Sequence, residues 1–146
     1  MEDLTKIQFY DPDVGYENLW AATIGSGLYR IESVPFFVYG ISAGDIVSAK
    51  PDSDGYLQFV AVESPSKNRT LRARAEEFAV TDGKCKDLTR ELDALGCTTE
   101  TLKPRVIAIS VPTEVDLQAV TDLLTSKDVD WEYANPTYDE IFRKAQ

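Results

Sequence analysis

One change of pattern constrains this chain more than any other feature. It falls at residues 63–70, "ESPSKNRT", where a polar, Pro-containing run follows a series of strand-like segments. Before this seam every local signal is β. After it, segments of period two alternate with segments of helical period. We place the boundary between two halves here, residues 1–66 and 67–146, packed as one compact unit of the α+β class.

In the first half, "NLWAATI" (18–24) and "GLYRIES" (27–33) flank Gly25-Ser26-Gly27, a permissive tight turn. "GDIVSAK" (44–50) and "YLQFVAVE" (56–63) flank "PDSDG", whose Asp54-Gly55 pair is a strong hairpin signal. Short strands joined by such turns predict a small, partly closed barrel of about five strands. Between the hairpins lies "VPFFVYGISAGDIV" (34–47), where the chain must change direction. Pro35, Gly40 and Gly44 are its bend residues, and Phe36 or Phe37 is expected to pack inward.

In the second half, "TLRARAEEF" (70–78) alternates Leu71, Ala73 and Ala75 against Arg72, Arg74 and Glu76, as a half-buried strand does. Cys85, Leu88, Leu92 and Leu95 recur at helical spacing, with Asp82 as N-cap and Gly96 as the stop. "CTTETL" (97–102) and "RVIAISV" (105–111) are strands about the Lys103-Pro104 turn. Thr113 is read as the cap of a second helix with Leu117, Val120 and Leu124 inward, and "VDWEYAN" (129–135) is a last alternating strand. The order is β-α-β-β-α-β, the ferredoxin-like plan. It sets 70–78 beside 129–135, with Arg72 and Arg74 near Asp130 and Glu132. Strand 105–111 is apolar on both faces, whereas a strand with one wet face alternates. Its helix-free face therefore needs a cover, either the barrel half or a second subunit.

Charge and residue inventory narrow the function. The chain has 146 residues, a net charge of −10 and no histidine. Nucleic-acid affinity depends on Lys and Arg displacing counterions, so a uniformly acidic chain is not expected to bind it, nor an anionic membrane. The absence of histidine removes Ser-His-Asp and Cys-His nucleophile pairs and imidazole-dependent zinc sites. No apolar stretch is long enough to span a bilayer, and the N-terminus does not read as a secretory signal. Cys85 and Cys97, at opposite ends of a helix, would stand about 18 Å apart, beyond the roughly 7 Å a disulfide allows. Two free thiols suit the cytoplasm.

The remaining candidates for chemistry are weak. "DSDG" at 52–55 lacks the further ligands of a calcium loop and reads as a turn. Glu76-Glu77 and Asp139-Glu140 are adjacent, so neither pair faces itself across a cleft. Cys85 lies on an apolar helix face and reads as a small core residue. Trp20, Tyr29, Phe36, Phe37, Tyr39, Tyr56 and Phe59 all fall in the barrel half, where they fill a small barrel or line a pocket; we read them as core. No catalytic residue, metal or cofactor is expected.

Trp20, the run from "LYRIES" through "PFFVYGISAGDIVSA" to "DGYLQFV", then "TLR", "VPTEVDLQAVTDLL" and the closing "WEY" together resemble the bacterial domain-of-unknown-function family 4265, over residues 18–135. The "YGIS-GD-V" segment is the most specific part. The resemblance implies a small bacterial protein and carries no activity with it.

Two functions fit. The first is a non-enzymatic, acidic immunity or inhibitor protein, monomeric or a weak homodimer, that neutralises a basic partner such as a toxin domain by direct binding. Its expected contact residues are Asp52, Asp54 and Tyr56 at a hairpin tip, Asp128, Asp130 and Glu132 along an edge strand, and Tyr138, Asp139 and Glu140 after it. The alternative is a small-molecule-binding or weakly catalytic domain with its site between the halves.

Overall fold

In the computed structural model, residues 3–75, 82–102 and 106–143 are described. Nine strands and three helices lie within them, an α+β chain rich in β-structure with two separate sheets. The first sheet is a ring of β1 (Leu4–Asp11), β2 (Gly15–Gly25), β3 (Leu28–Ile31), β4 (Ile46–Pro51) and β5 (Leu57–Ser64). Neighbours pair antiparallel, and a parallel contact of Ile7 with Leu57 and Gln8 with Gln58 closes it.

Strand alternation decides what fills the ring. Ile7 and Phe9 on β1, Leu19 and Ala21 on β2, Ile31, Val47 and Ala49 are buried together. The intervening residues meet outside, Lys6 across from Trp20 and Tyr10 across from Tyr16. Most of the aromatics expected as core are therefore not its centre: Trp20, Tyr39 and Tyr56 are exposed, and Phe36 and Phe37 are half-buried. Aliphatic side chains fit a five-stranded interior that large rings would overfill. Phe9 against Phe59 is the stacked exception, with centroids 4.6 Å apart. Strand β1 was not expected. Its signal was present in the alternation of Ile7 and Phe9 and in the turn after it, where Asp11 Oδ1 accepts the N–H groups of Asp13 and Val14.

The second sheet holds β6 (Arg69–Arg74), β7 (Thr98–Leu102), β8 (Val106–Val111) and β9 (Asp130–Asn135) in the order β7-β8-β6-β9, each neighbouring pair antiparallel. Helices α1 (Asp82–Ala94) and α2 (Leu117–Ser126) follow β6 and β8 in the chain. Leu71, Ala73, Ile107, Ile109 and Val111 bury against Leu88, Leu92, Val120 and Leu124, with Cys85 and Cys97 in the same cluster and unbridged. The expected register holds, Arg72 across from Glu132 and Arg74 across from Asp130. The cap of α2 is Asp116, whose side chain accepts from Gln118 N, and not Thr113. Leu95 lies past the end of α1 and is exposed rather than inward. A short helix α3 (Tyr138–Phe142), absent from the sequence reading, follows β9. The expectations for Glu76, Glu77 and the Lys103-Pro104 turn lie outside the described residues.

Residues 34–45 form a strap between ring and sheet, and it is the cover that strand 105–111 required. It forms no strand, so its backbone groups need side-chain partners. Glu17 on β2 accepts the N–H groups of Phe36, Phe37 and Val38 at 2.6, 3.0 and 3.0 Å. Glu100 on β7 accepts from Val34 N, and the buried Asp45 accepts from Ser42 N and Ser66 N. Arg72 Nη1 donates to Val38 O, Thr70 Oγ1 to Ile41 O, and Gly40 N to Ala134 O. Thr70, Arg72, Ala108, Ser110 and Ala134, on the face away from the helices, are all buried. Val34, Val38 and Ile41 point inward where Phe36 or Phe37 was expected. Gly44 is held at φ +88° with an added Cβ only 3.1 Å from that of Ser66, so a side chain there is both strained and crowded.

Candidate functional site

The sheet ends at β9, whose outer backbone edge has no strand beside it among the described residues. Strand alternation sends Trp131 and Tyr133 to the helix side and Asp130 and Glu132 to the strap side. Thr137 then opens α3 with a capping box: its hydroxyl accepts from Glu140 N, and the Glu140 carboxylate accepts from Thr137 N. This turn brings Tyr138 and Phe142 back onto Tyr133. Ring centroids are 6.4 Å for Tyr133–Tyr138, 5.9 Å for Tyr133–Phe142 and 4.7 Å for Tyr138–Phe142. Trp131 meets Tyr133 edge-on at 5.1 Å and donates its indole N–H to Thr125 Oγ1.

Tyr39 of the strap closes the opposite wall, leaving an aromatic groove of about 480 Å³ with Glu132 and Asp139 in its lining. Tyr39, Tyr138 and Phe142 are each about half exposed, at 50%, 51% and 51%. Exposed clusters of large rings are uncommon on monomer surfaces, and binding surfaces are one place where they occur. A second groove of about 440 Å³ shares Tyr39, Trp131 and Glu132 and runs under Phe36 and Phe37 to Arg72, Arg74 and Asp130.

Electrostatics join the two grooves. Glu132 Oε2 accepts from Arg72 Nε at 3.0 Å, and its Oε1 accepts the Tyr39 hydroxyl at 2.7 Å. The Tyr39 ring lies over the Arg72 guanidinium at 4.6 Å. The bond to Glu132, with burial and the negative charge of Glu132 behind it, raises the Tyr39 pKa above its ordinary value, so the phenol stays a donor. Burial and the neighbouring Tyr138 raise Tyr133 likewise.

The structure separates the nine expected contact residues. Tyr138, Asp139 and Glu132 line the aromatic groove, and Asp130 and Glu132 line its neighbour. Asp52, Asp54 and Tyr56 line neither. Asp52 is a turn former, with Oδ1 accepting from Asp54 N and Tyr56 N and Oδ2 from Gln58 Nε2. Asp128 sits before β9 at φ +56°, a left-handed position that favours Asp or Asn. Asp139 pairs with Arg143 and Glu140 serves the capping box, so neither is a loose charge. Tyr39, Trp131, Tyr133 and Phe142 were not among the expected contacts. The Thr137-x-x-Glu140 spacing was the signal that would have found the helix and with it Phe142. Among the described residues no three His, Cys, Asp or Glu side chains gather as a metal site, and no helix is long and apolar enough to cross a membrane.

A family model described as "Domain of unknown function (DUF4265)" matches residues 17–133. No curated protein matches the chain. Its fold is similar to that of a hypothetical protein from Neisseria gonorrhoeae, with a TM-score of 0.70 over 92% of this chain and 94% of that one, at 15% identity. At that identity the likeness concerns the fold.

Proposed function

The chain belongs to the domain-of-unknown-function family DUF4265, and since that membership assigns no activity, we propose from its surface that it is a non-enzymatic protein-binding module for a basic partner. The observation that carries this reading is the half-exposed aromatic groove along the open edge of β9. Such an edge offers unpaired backbone groups to an extended segment, and rings beside it supply the apolar anchors that dominate affinity. The net charge of −10 supplies the field for steering a cationic partner. An inhibitor of a toxin domain is the simplest role of this kind, because inhibition needs complementarity and a fast encounter, not chemistry. A cytoplasmic monomer or weak homodimer is the form proposed, in keeping with two unbridged thiols. We read residues 1–66 as a barrel-like subdomain and 67–146 as a ferredoxin-like one, supported by the order β7-β8-β6-β9.

The test begins with capture of partners from the source organism's lysate at about 0.1 M and 1 M salt, across which the screening length falls from about 10 to 3 Å. A purified candidate is then titrated against the protein and its Tyr138→Ala, Phe142→Ala and Asp130→Lys variants. We expect a basic protein whose affinity drops at least about tenfold on losing either ring, and a slower, less salt-sensitive association for Asp130→Lys. Recovery of no basic partner, or three variants that bind like the parent, overturns the reading.

A further inference from the structure

The second groove holds a feature that the docking of a protein on the β9 edge does not use. Arg72 is 5% exposed, and its guanidinium is almost fully committed. Nε donates to Glu132, and Nη1 donates to Val38 O at 2.9 Å. Nη2 is buried and finds no acceptor among the described residues. A buried donor on a charged group without an acceptor is costly, and such groups are uncommon away from places where something binds. Arg72 lines the groove, and so does Arg74, two residues further along the same face of β6. Arg74 is exposed, so the two guanidiniums lie at different depths of one cleft.

The walls carry the second half of the pattern. Phe36 and Phe37 stand on the strap side, with ring centroids 6.5 Å apart, and Val106, across from Arg74, adds an apolar side chain from the sheet. Tyr39 covers the Arg72 guanidinium at 4.6 Å and is itself half exposed, so a ligand that reaches Nη2 displaces this ring and its bond to Glu132. Glu132 and Asp130 face the two arginines across the strand pair. Two guanidiniums and two carboxylates leave the groove with no net charge, so a bare inorganic anion gains little from it. Affinity must come from directed N–H···O bonds together with ring contact.

We propose that this groove binds a small molecule carrying one oxyanion on an apolar body, with Arg72 Nη2 and Arg74 taking the oxyanion and Phe36, Phe37 and Val106 enclosing the body. A guanidinium fork suits a carboxylate or a phosphate ester equally. The site needs no protein partner, but it shares Tyr39 and Glu132 with the aromatic groove, so the probes below are titrated into the chain alone.

The test uses phenylacetate, phenyl phosphate, inorganic phosphate and benzylammonium as probes, titrated into the intact chain. The ring resonances of Phe36 and Phe37 and the guanidinium N–H resonances of Arg72 and Arg74 are followed. Saturable binding of phenylacetate or phenyl phosphate is expected, with a shift of the Arg72 Nη2 protons and at least about tenfold weaker response to inorganic phosphate. Whichever aryl probe binds more tightly identifies the oxyanion as carboxylate or phosphate. The exposed position of Arg74 makes Arg74→Gln a safe variant for folding, and it should weaken binding by about tenfold. Arg90→Gln, on the outer face of α1, should leave it unchanged. The proposal falls if neither aryl oxyanion saturates, if benzylammonium gives the same response, or if Arg74→Gln binds like the parent.

Discussion

Glu17, Asp45 and Glu100 point at the strap and hold its backbone N–H groups, whereas Asp54, Asp128 and Asp130 stand at a hairpin tip and along the β9 edge. The residue types are the same and their uses differ. A carboxylate accepting several backbone N–H bonds replaces a missing strand ladder, and removing it leaves those donors buried and unpaired. A carboxylate in water contributes to the field around the molecule and little to its stability. Part of the net charge of −10 is therefore structural, and counting acids overstates the surface available to a partner.

The largest effect that would sharpen this contrast is Glu17→Ala. It strips the acceptor from Phe36, Phe37 and Val38 at once. We expect a loss of about 3–4 kcal/mol, since hydrogen bonds to charged groups contribute about 1.5–3 kcal/mol each and do not add fully. Urea unfolding measures it. A loss below about 1 kcal/mol would mean that the strap is held by its apolar contacts alone.

The second effect is alkaline. Burial pushes the Cys97 thiol up to about 11 from an ordinary 9.0. The folded chain then holds a proton that the unfolded chain releases, so stability is full below about pH 9 and falls as pH rises towards 11, by about 2 kcal/mol. Tyr39 and Tyr133, also raised, add slope of the same sign above pH 10.0. Comparison with Cys97→Ala isolates the thiol: the variant's curve should be flatter between pH 9 and 11. At pH 8 only roughly a thousandth of native Cys97 is thiolate, so its alkylation should be slow and should accelerate on unfolding.

Within the strap a third, smaller change separates hydrogen bonding from shape. Thr70 Oγ1 donates to Ile41 O and lies 2.6 Å from Ser42 Oγ. Thr70→Val keeps the volume but takes the donor from Ile41 O, while Ser42 Oγ keeps its bond from Asn135 Nδ2, so we expect a loss of about 1–2 kcal/mol, read as a lower urea midpoint with an unchanged slope.

These contrasts also explain what the sequence could and could not disclose. Periodicity carried the second sheet, because Leu71, Ala73, Ile107 and Ile109 must alternate to meet the helices, and even the Arg72–Glu132 register followed from it. The doubly apolar strand 105–111 demanded a cover, and the cover exists. Its identity was hidden, because the strap's bonds run to Glu17, Glu100 and Arg72, residues 19 to 66 positions away in the chain. No local pattern announces a carboxylate that serves a distant backbone. The groove was half legible: Tyr138 and Glu132 were expected at the edge, but Tyr39 and Phe142 arrive there by tertiary packing. The aromatics of the first half misled for the reverse reason. A ring of only five strands has room for Ile7, Leu19 and Val47 and for the stacked Phe9–Phe59 pair, while Trp20, Tyr39 and Tyr56 are turned outward.

The smallest expected effects fall on the outer acids, and they test the other side of the comparison. Asp130 lies across from Arg74 in an exposed pair, and Asp54 is exposed at the hairpin tip. Asp130→Asn and Asp54→Asn should each change stability by less than about 0.5 kcal/mol. Asp128 is more informative, because its φ of +56° makes it a backbone position as well as a charge. Asparagine tolerates the left-handed region as well as aspartate does, whereas a β-branched residue does not. Asp128→Asn should therefore be neutral and Asp128→Val should cost about 1 kcal/mol or more. Against a basic partner the order should invert between the two substitutions that spare the backbone and the strap. Asp128→Asn and Asp130→Asn would slow association at low salt while leaving unfolding untouched, which stopped-flow mixing and urea titration measure on the same samples. If these outer acids instead prove as costly to stability as Glu17, they belong to the architecture too, and the β9 edge loses its claim as a charged docking surface.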